Sequence, residues 1–334
     1  MKPAIQSEVN KGLNRYVVFV YILTIVLIFL SKYISPSFGS FAQIKAILVL
    51  SSLTVLVALG QGLVILTGEL DLSVGKIITL SGVLTSMWLG NGDENWLMAI
   101  PIFAILLLVG FLNGYGVAAL KIPSFIMTLA MSMIIYGCIL GYTKGTPDGM
   151  SPRLLEKLMA SNWFGLPSPI YVLIVVAIAG YFLQSRTKLG RTMQVIGSNR
   201  TAAHYAAIPV KRTIIFAYMI SAICAGLTGM ILVGYSGGST LNLGDAYLLP
   251  SIATVVLGGA AISGGSGNYL GTVGAAIFLT TVSTIIQALG ISIGWQNVIY
   301  GLMILVVLIL YRKDIYQMLQ HQLRGWSTKK QEAA

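Results

Sequence analysis

Residues 43–67 read QIKAILVLSSLTVLVALGQGLVILT. One cation, Lys45, stands near the start, and no acid interrupts the run. Wound as an α-helix at about 1.5 Å per residue, the stretch is longer than the ~30 Å hydrocarbon core of a bilayer. A strand of a membrane barrel would instead alternate polar and apolar side chains over about 10 residues, and no such alternation is present. The stretch reads as a transmembrane helix.

Working outward, apolar runs of similar length recur and break at short polar or Gly/Pro clusters. About ten spans are predicted: 16–34, 43–67, 72–90, 96–120, 123–143, 167–184, 213–235, 246–262, 268–290 and 295–311. The composition agrees. Of the 334 residues, 56% are hydrophobic and 9% charged, with mean hydropathy +0.84. Soluble domains carry about 25% charged residues. With so few solvated groups the chain is not an ordinary soluble enzyme, a disordered regulator or a secreted disulfide scaffold. It reads as an all-α polytopic membrane protein, with residues 1–334 forming a single transmembrane domain. No cleavable signal peptide is expected: the first apolar run, VVFVYILTIVLIFL over 17–30, is followed by SKYISPSF without a small-x-small site.

The net charge of +11 is explained by loops. Ten spans put both termini on one side. That side then holds Lys2, Lys11, Arg15, Lys121, Arg186, Lys188, Arg191, Arg200, Lys211, Arg212, Arg312, Lys313, Arg324, Lys329 and Lys330, fifteen cations. The other holds five: Lys32, Lys45, Lys144, Arg153 and Lys157. The positive-inside rule makes the first side cytoplasmic. Lys76, one turn inside the third span, is expected to snorkel to the cytoplasmic face. Trp88, Trp96, Trp163 and Trp295 fall at outer span ends or in an outer loop, as an aromatic belt would. Nucleic acid is not expected as a partner, because no basic face stands beside interleaved aromatics. Cys138 and Cys224 lie in apolar stretches, His204 and His321 in polar ones, and two of each so dispersed do not make a zinc site.

Two connections are long. The outer, periplasmic loop, 144–166, contains the polar helical stretch RLLEKLMASNW. The inner loop, 185–212, reads SRTKLGRTMQVIGSNRTAAHYAAIPVKR and is basic. Loops of this size are more often functional than mere connectors. Spans two to five and seven to ten form two sets of four running in opposite directions. The third span opens with GELDLSVG and the eighth with LGDAYLLP, each joining Gly or Pro to an acid. Interrupted segments at paired positions point to an inverted-repeat transporter.

Individual residues carry two readings each. Asp71 is a good N-cap for a helix starting at Leu72, or lines a polar path, or pairs with Lys76. Asp245 caps its helix or lines the same path. Asn113 and Thr128 either hold helices together or offer hydrogen bonds to a solute. Only Glu69, Asp71 and Asp245 stand near spans, each at an end, which argues against a proton-driven pump. The run LGGAAISGGSGNYLGTVG over 257–274 is not a phosphate loop, since no Gly-Lys-Ser/Thr follows. Gly258, Gly259, Gly264 and Gly265 are expected to allow a tight turn and close helix approach. The chain carries no ATP-binding motif and no expected cofactor.

Four stretches together resemble a known family. GELDLSVGKIITLSGVL resembles its Gly-Gly-Ile-Asp-Leu-Ser segment, and GFLNGYGVAALKIPSFIMTLAMS its Asn-Gly then Pro-x-Phe-Ile-x-Thr-Leu segment. KLGRTMQVIGSNRTAAHYAAIPVKRT resembles its inner loop, and LLPSIATVVLGGAAISGGSGNYLGT its glycine-rich segment. The family is the membrane-permease subunit of bacterial carbohydrate ABC importers, the ribose, xylose, arabinose and galactose group. The likeness covers nearly all of the chain after residue 15. Glu69 stands where that family usually has Gly, Lys76 replaces a small residue, Ala130 and Ala207 replace Gly, Leu248 stands where Glu is common and Pro250 where Ala is common.

The resemblance implies a type II ABC-importer arrangement in the inner membrane, importing a monosaccharide or related small sugar. It implies a second permease subunit, identical or different, an ABC ATPase subunit that binds the ATP, and a periplasmic sugar-binding protein. It assigns Gly190, Arg191, Gly197, Asn199, Ala202 and Ala203 to ATPase coupling. The basic residues of that loop would also meet anionic lipid headgroups. The rival reading is an ATP-independent secondary transporter or channel for a small polar solute, which would call for mid-span acids or an ion-site cluster.

Overall fold

The computed structural model describes residues 3–33, 38–90 and 95–311. The side chains of Lys11 and Arg15, and all of Lys2, Arg312, Lys313, His321, Arg324, Lys329 and Lys330, lie outside what it describes. So does the expected orientation of the two termini.

Thirteen α-helices are described: α1 Pro3–Ser31, α2 Phe41–Leu66, α3 Val74–Leu89, α4 Ala99–Ala118, α5 Ser124–Thr143, α6 Arg153–Ala160, α7 Ser168–Ser185, α8 Lys188–Ser198, α9 Arg200–Tyr205, α10 Val210–Ser236, α11 Asp245–Leu257, α12 Tyr269–Ala288 and α13 Ile293–Tyr311. A two-stranded turn pairs Asn162–Trp163 with Leu166–Pro167. Among the described residues six helices are long and apolar enough to cross a membrane: α2, α4 with the short 3-10 turn before it, α5, α7, α10 and α12. The chain is a polytopic membrane protein.

Composition dictates the layout. α2 is apolar all round and buried at every position from Ser51 to Leu66, as a helix without a polar face must be at the centre of a bundle. α10 is its neighbour. A Cβ on Gly60 of α2 would stand 2.7 Å from the Ser221 Cα of α10, so the backbones touch. Gly110 and Gly114 of α4 meet Met219 and Ile215 of α10 as closely, at 2.8 and 2.6 Å to their Cα atoms. Four-residue spacing of small residues is what lets membrane helices pack without a hydrophobic driving force. α10 also packs on α3, while α2 packs on α7, α11 and α12. Outward-facing Leu108, Phe111, Ile134 and Val175 leave an apolar girdle that lipid would cover.

Two expected spans are shorter than predicted. The third, predicted over 72–90, is α3 with 16 residues, and the eighth, predicted over 246–262, is α11 with 13. At about 1.5 Å per residue these reach roughly 24 and 20 Å, less than a full crossing. Local chemistry shortens both. Asp71 holds the backbone and hydroxyl of Ser73 in a non-helical turn before α3. Gly259, Gly264 and Gly265 take positive φ after α11, where an L side chain would be strained. The two helices begin at the same place. A Cβ on Gly244 would lie 2.0 Å from the carbonyl oxygen of Gly75, and the Gly244 N–H donates to Thr79 Oγ1 at 3.0 Å. From there α3 runs toward Gly149 and Met150 of the 144–166 loop, and α11 toward the glycine turn beside Gly68 and Gly197.

A candidate transport site at two helix openings

Asp71 is fully buried, yet its partners are hydroxyls and amides and no cation. Oδ1 accepts from the Ser73 N–H at 3.0 Å and the Ser73 hydroxyl at 2.6 Å, and Oδ2 from the Ser221 hydroxyl of α10 at 3.0 Å. Asn113 Nδ2 of α4 donates to Ser73 Oγ at 2.9 Å. Thr128 Oγ1 of α5 accepts the Leu72 N–H at 3.0 Å, and Ser124 Oγ that of Leu70 at 3.3 Å. Tyr218 of α10 donates its hydroxyl to the Leu70 carbonyl at 3.0 Å. The reversing segment 69–73 has backbone groups met by side chains of α5 and α10, while Asn113 of α4 holds its Ser73 hydroxyl. That is how an irregular backbone survives among apolar helices. Asp71, Asn113 and Thr128, each expected either to line a path or to hold the helices, gather around segment 69–73 and are each 0% exposed. Asn113 Oδ1 has no partner. Helix α3 begins at Val74, two residues later than the expected Asp71 cap would place it.

Asp245 stands differently. It opens α11 and pairs with Lys76, 2.7 and 2.9 Å from Nζ to its two carboxylate oxygens. Lys76, for which snorkelling to the cytoplasmic face was expected, has this carboxylate as its partner within the fold. The ammonium also lies 4.6 Å from the Tyr136 ring centroid, a cation–π contact. The side chains are 18% and 45% exposed, so the pair sits on an open face where α3, α5 and α11 meet. Both helix N-termini bring their positive ends there, which favours the carboxylate.

The 185–212 loop folds as α8 and α9. Thr187 caps α8 by accepting the Gly190 N–H at 3.1 Å, and Asn199 caps α9 by accepting the Ala202 N–H at 2.9 Å. Gly190 and Ala203 are buried, while Arg191, Asn199 and Ala202 are exposed. Gly197 faces inward: a Cβ there would lie 2.0 Å from the Leu66 carbonyl and 2.4 Å from the Gly265 nitrogen. Arg200 forms an ion pair with Glu69. The glycine run closes this junction. The Gly265 N–H donates to Leu66 O at 3.0 Å, Gly264 abuts Gly68, and Gly258 abuts Thr272 at the start of α12.

Over residues 43–308 the chain matches the family described as branched-chain amino acid transport system / permease component. It is a member of that permease family. Its relatives include the ribose import permease protein RbsC of Escherichia coli (strain K12), 30% identical over 299 residues, covering 87% of this chain and 92% of that one. The L-arabinose transport system permease protein AraH of the same strain is 32% identical over 279 residues, covering 83% and 84%. The autoinducer 2 import system permease protein LsrD of Photorhabdus temperata is 29% identical over 282 residues, covering 82% and 84%. No solved structure matches. These names are those of transport components, not enzymes.

Sequence reading missed several partners within this permease. Ser73 and Ser221 give no signal, because single serines in apolar helices are common. Lys76 and Glu69 did stand out, as charges in a segment where the family resemblance led one to expect small residues. Their partners, Asp245 and Arg200, are 169 and 131 residues away, and only the fold pairs them.

Proposed function

We propose that this permease is the membrane subunit of an ATP-driven importer for a monosaccharide or related small sugar in a bacterial inner membrane. The observation that carries the reading is the convergence of the α3 and α11 openings on an open face bearing Lys76 and Asp245, in a chain of this family. Half-helices whose N-termini meet are how transporters build a polar station inside a bilayer. α2–α5 and α10–α13 are taken as the two inverted four-helix sets, with α1 and α7 completing ten. The matching contacts of α10 with α3 and α4, and of α2 with α11 and α12, support that pairing. In this reading two permease subunits face one another across the path, Asp245 lines it, and the Asp71–Asn113–Thr128 network positions the opening of α3. The external binding protein supplies affinity, and the separate ATPase binds and hydrolyses ATP.

The inner loop is taken as the ATPase dock. Its exposed Arg191, Asn199 and Ala202 form the outer face, while Gly190, Gly197 and Ala203 fasten α8 and α9 to the bundle. The test is reconstitution of the permease with its ATPase and binding protein in liposomes. Sugar uptake should require ATP. Uptake by the permease alone, without ATP, would establish the channel or secondary-transporter reading instead.

A further inference from the structure

A second polar feature begins one residue along the chain from Asp245, lined by α2, α11, α12 and α13 and partly open at the exposed residues Ala246, Gln287 and Asn297. It is a cavity of about 150 Å³ without a charged side chain in its lining. Gln296 of α13 lines it, is 6% exposed, and its Nε2 has no partner. Pro250 of α11 also lines it and has no N–H, so the carbonyl of Ala246, another lining residue, lacks a donor at its usual helical position. On α12 the Ser283 hydroxyl donates to Leu279 O at 3.0 Å and the Thr284 hydroxyl to Thr280 O at 2.8 Å, which leaves their lone pairs as acceptors. Ser283 also pairs with the Tyr300 hydroxyl.

An unmatched buried amide such as that of Gln296 costs about 1–3 kcal/mol, so leaving this lining dry is unfavourable. The volume is roughly ten times the ~10–15 Å³ that one buried water needs, room enough for one sugar ring with its hydroxyls. A charged ligand would lose its hydration and find no counter-ion. A neutral polyol, whose hydroxyls donate and accept in turn, matches the amide donor and the carbonyl and hydroxyl acceptors. We infer that this cavity is a binding station for a single neutral sugar ring. The inference rests on the sugar-importer reading above and goes beyond it by assigning a site to the cargo within one subunit.

The test uses the full chain in membrane vesicles, with Cys138→Ser and Cys224→Ala, and one new cysteine, Thr284→Cys or separately Asn297→Cys. A small neutral, water-soluble thiosulfonate should label both positions. D-ribose or L-arabinose at ten times its half-protecting concentration should slow labelling about tenfold by simple occupancy. Glucuronate at matched ionic strength should not. Adding Gln296→Leu should keep the labelling and the yield but abolish protection. No labelling at either position would show a dry cavity and overturn the inference. Labelling that neither sugar slows would show water only and also overturn it. Equal protection by glucuronate would refute selectivity for neutral ligands. The transport reading fails separately, in the ATP-dependence of uptake, so protection without ATP-driven uptake would retain the site and remove the importer.

Discussion

Asn113 shows how burial decides between two roles for one residue. Its Nδ2 holds Ser73 at 2.9 Å in a place with no exposed surface. Asn113→Ala should therefore lower the amount of folded permease recovered from membranes, by about 1–3 kcal/mol of lost buried hydrogen bonding. Uptake per folded molecule should change little. Normal yield with uptake cut severely would assign Asn113 to the path. Gly197 and Ala202 make a second contrast, because they are five residues apart and face opposite ways. Gly197→Leu would push a side chain into the Leu66 carbonyl, so the chain should fail to accumulate. Ala202→Trp points into solvent, so yield should hold while ATP-driven uptake falls. Equal yields for the two variants would contradict the placement of Gly197.

Among the elements, the short run 69–73 and helix α9 are joined by Glu69 and Arg200. Movement of α9 would reach Glu69 directly, then Asp71, Ser73 and the start of α3 along consecutive backbone. Glu69→Arg or Arg200→Glu alone sets like charges together and should reduce uptake. The double swap should restore most of it, since residues in contact do not behave additively. ATP hydrolysis by the assembled complex is the second readout. If the pair couples the two elements, each single variant should hydrolyse ATP with less sugar moved per ATP. A double variant no better than the worse single one would remove the pair from the coupling route. The partly exposed geometry makes its contribution to stability small, about 1 kcal/mol or less.

For the whole molecule, the orientation in the membrane is the open quantity that charge alone predicts. A cysteine replacing Met150, in the 144–166 loop, should react with an impermeant reagent added outside intact cells. One replacing Arg200 should react only after the membrane is opened. The reverse pattern would invert the protein and leave its helix packing untouched. The positions of the long apolar helices were legible because hydropathy is written locally along the chain, and a 26-residue run such as α2 has no other stable form in lipid. The interrupted openings of α3 and α11 were legible in GELDLSVG and LGDAYLLP, but their lengths were not, because these follow from which groups bond to Asp71 and from the backbone turns at Gly259, Gly264 and Gly265.

The sequence by itself determined that this is a helical membrane protein, where its polar segments fall, and through four ordered motifs which family it belongs to. Composition and local pattern suffice for that, because the bilayer leaves a backbone so few choices. Only the tertiary structure decided which polar groups meet. Lys76 finds Asp245, Arg200 finds Glu69, Asn113 finds Ser73, and Gln296 faces a cavity with Ala246 and Ser283. Each encounter depends on how helices far apart in the chain cross at their small residues. That packing is set by surface shape in three dimensions and leaves no periodic trace in one.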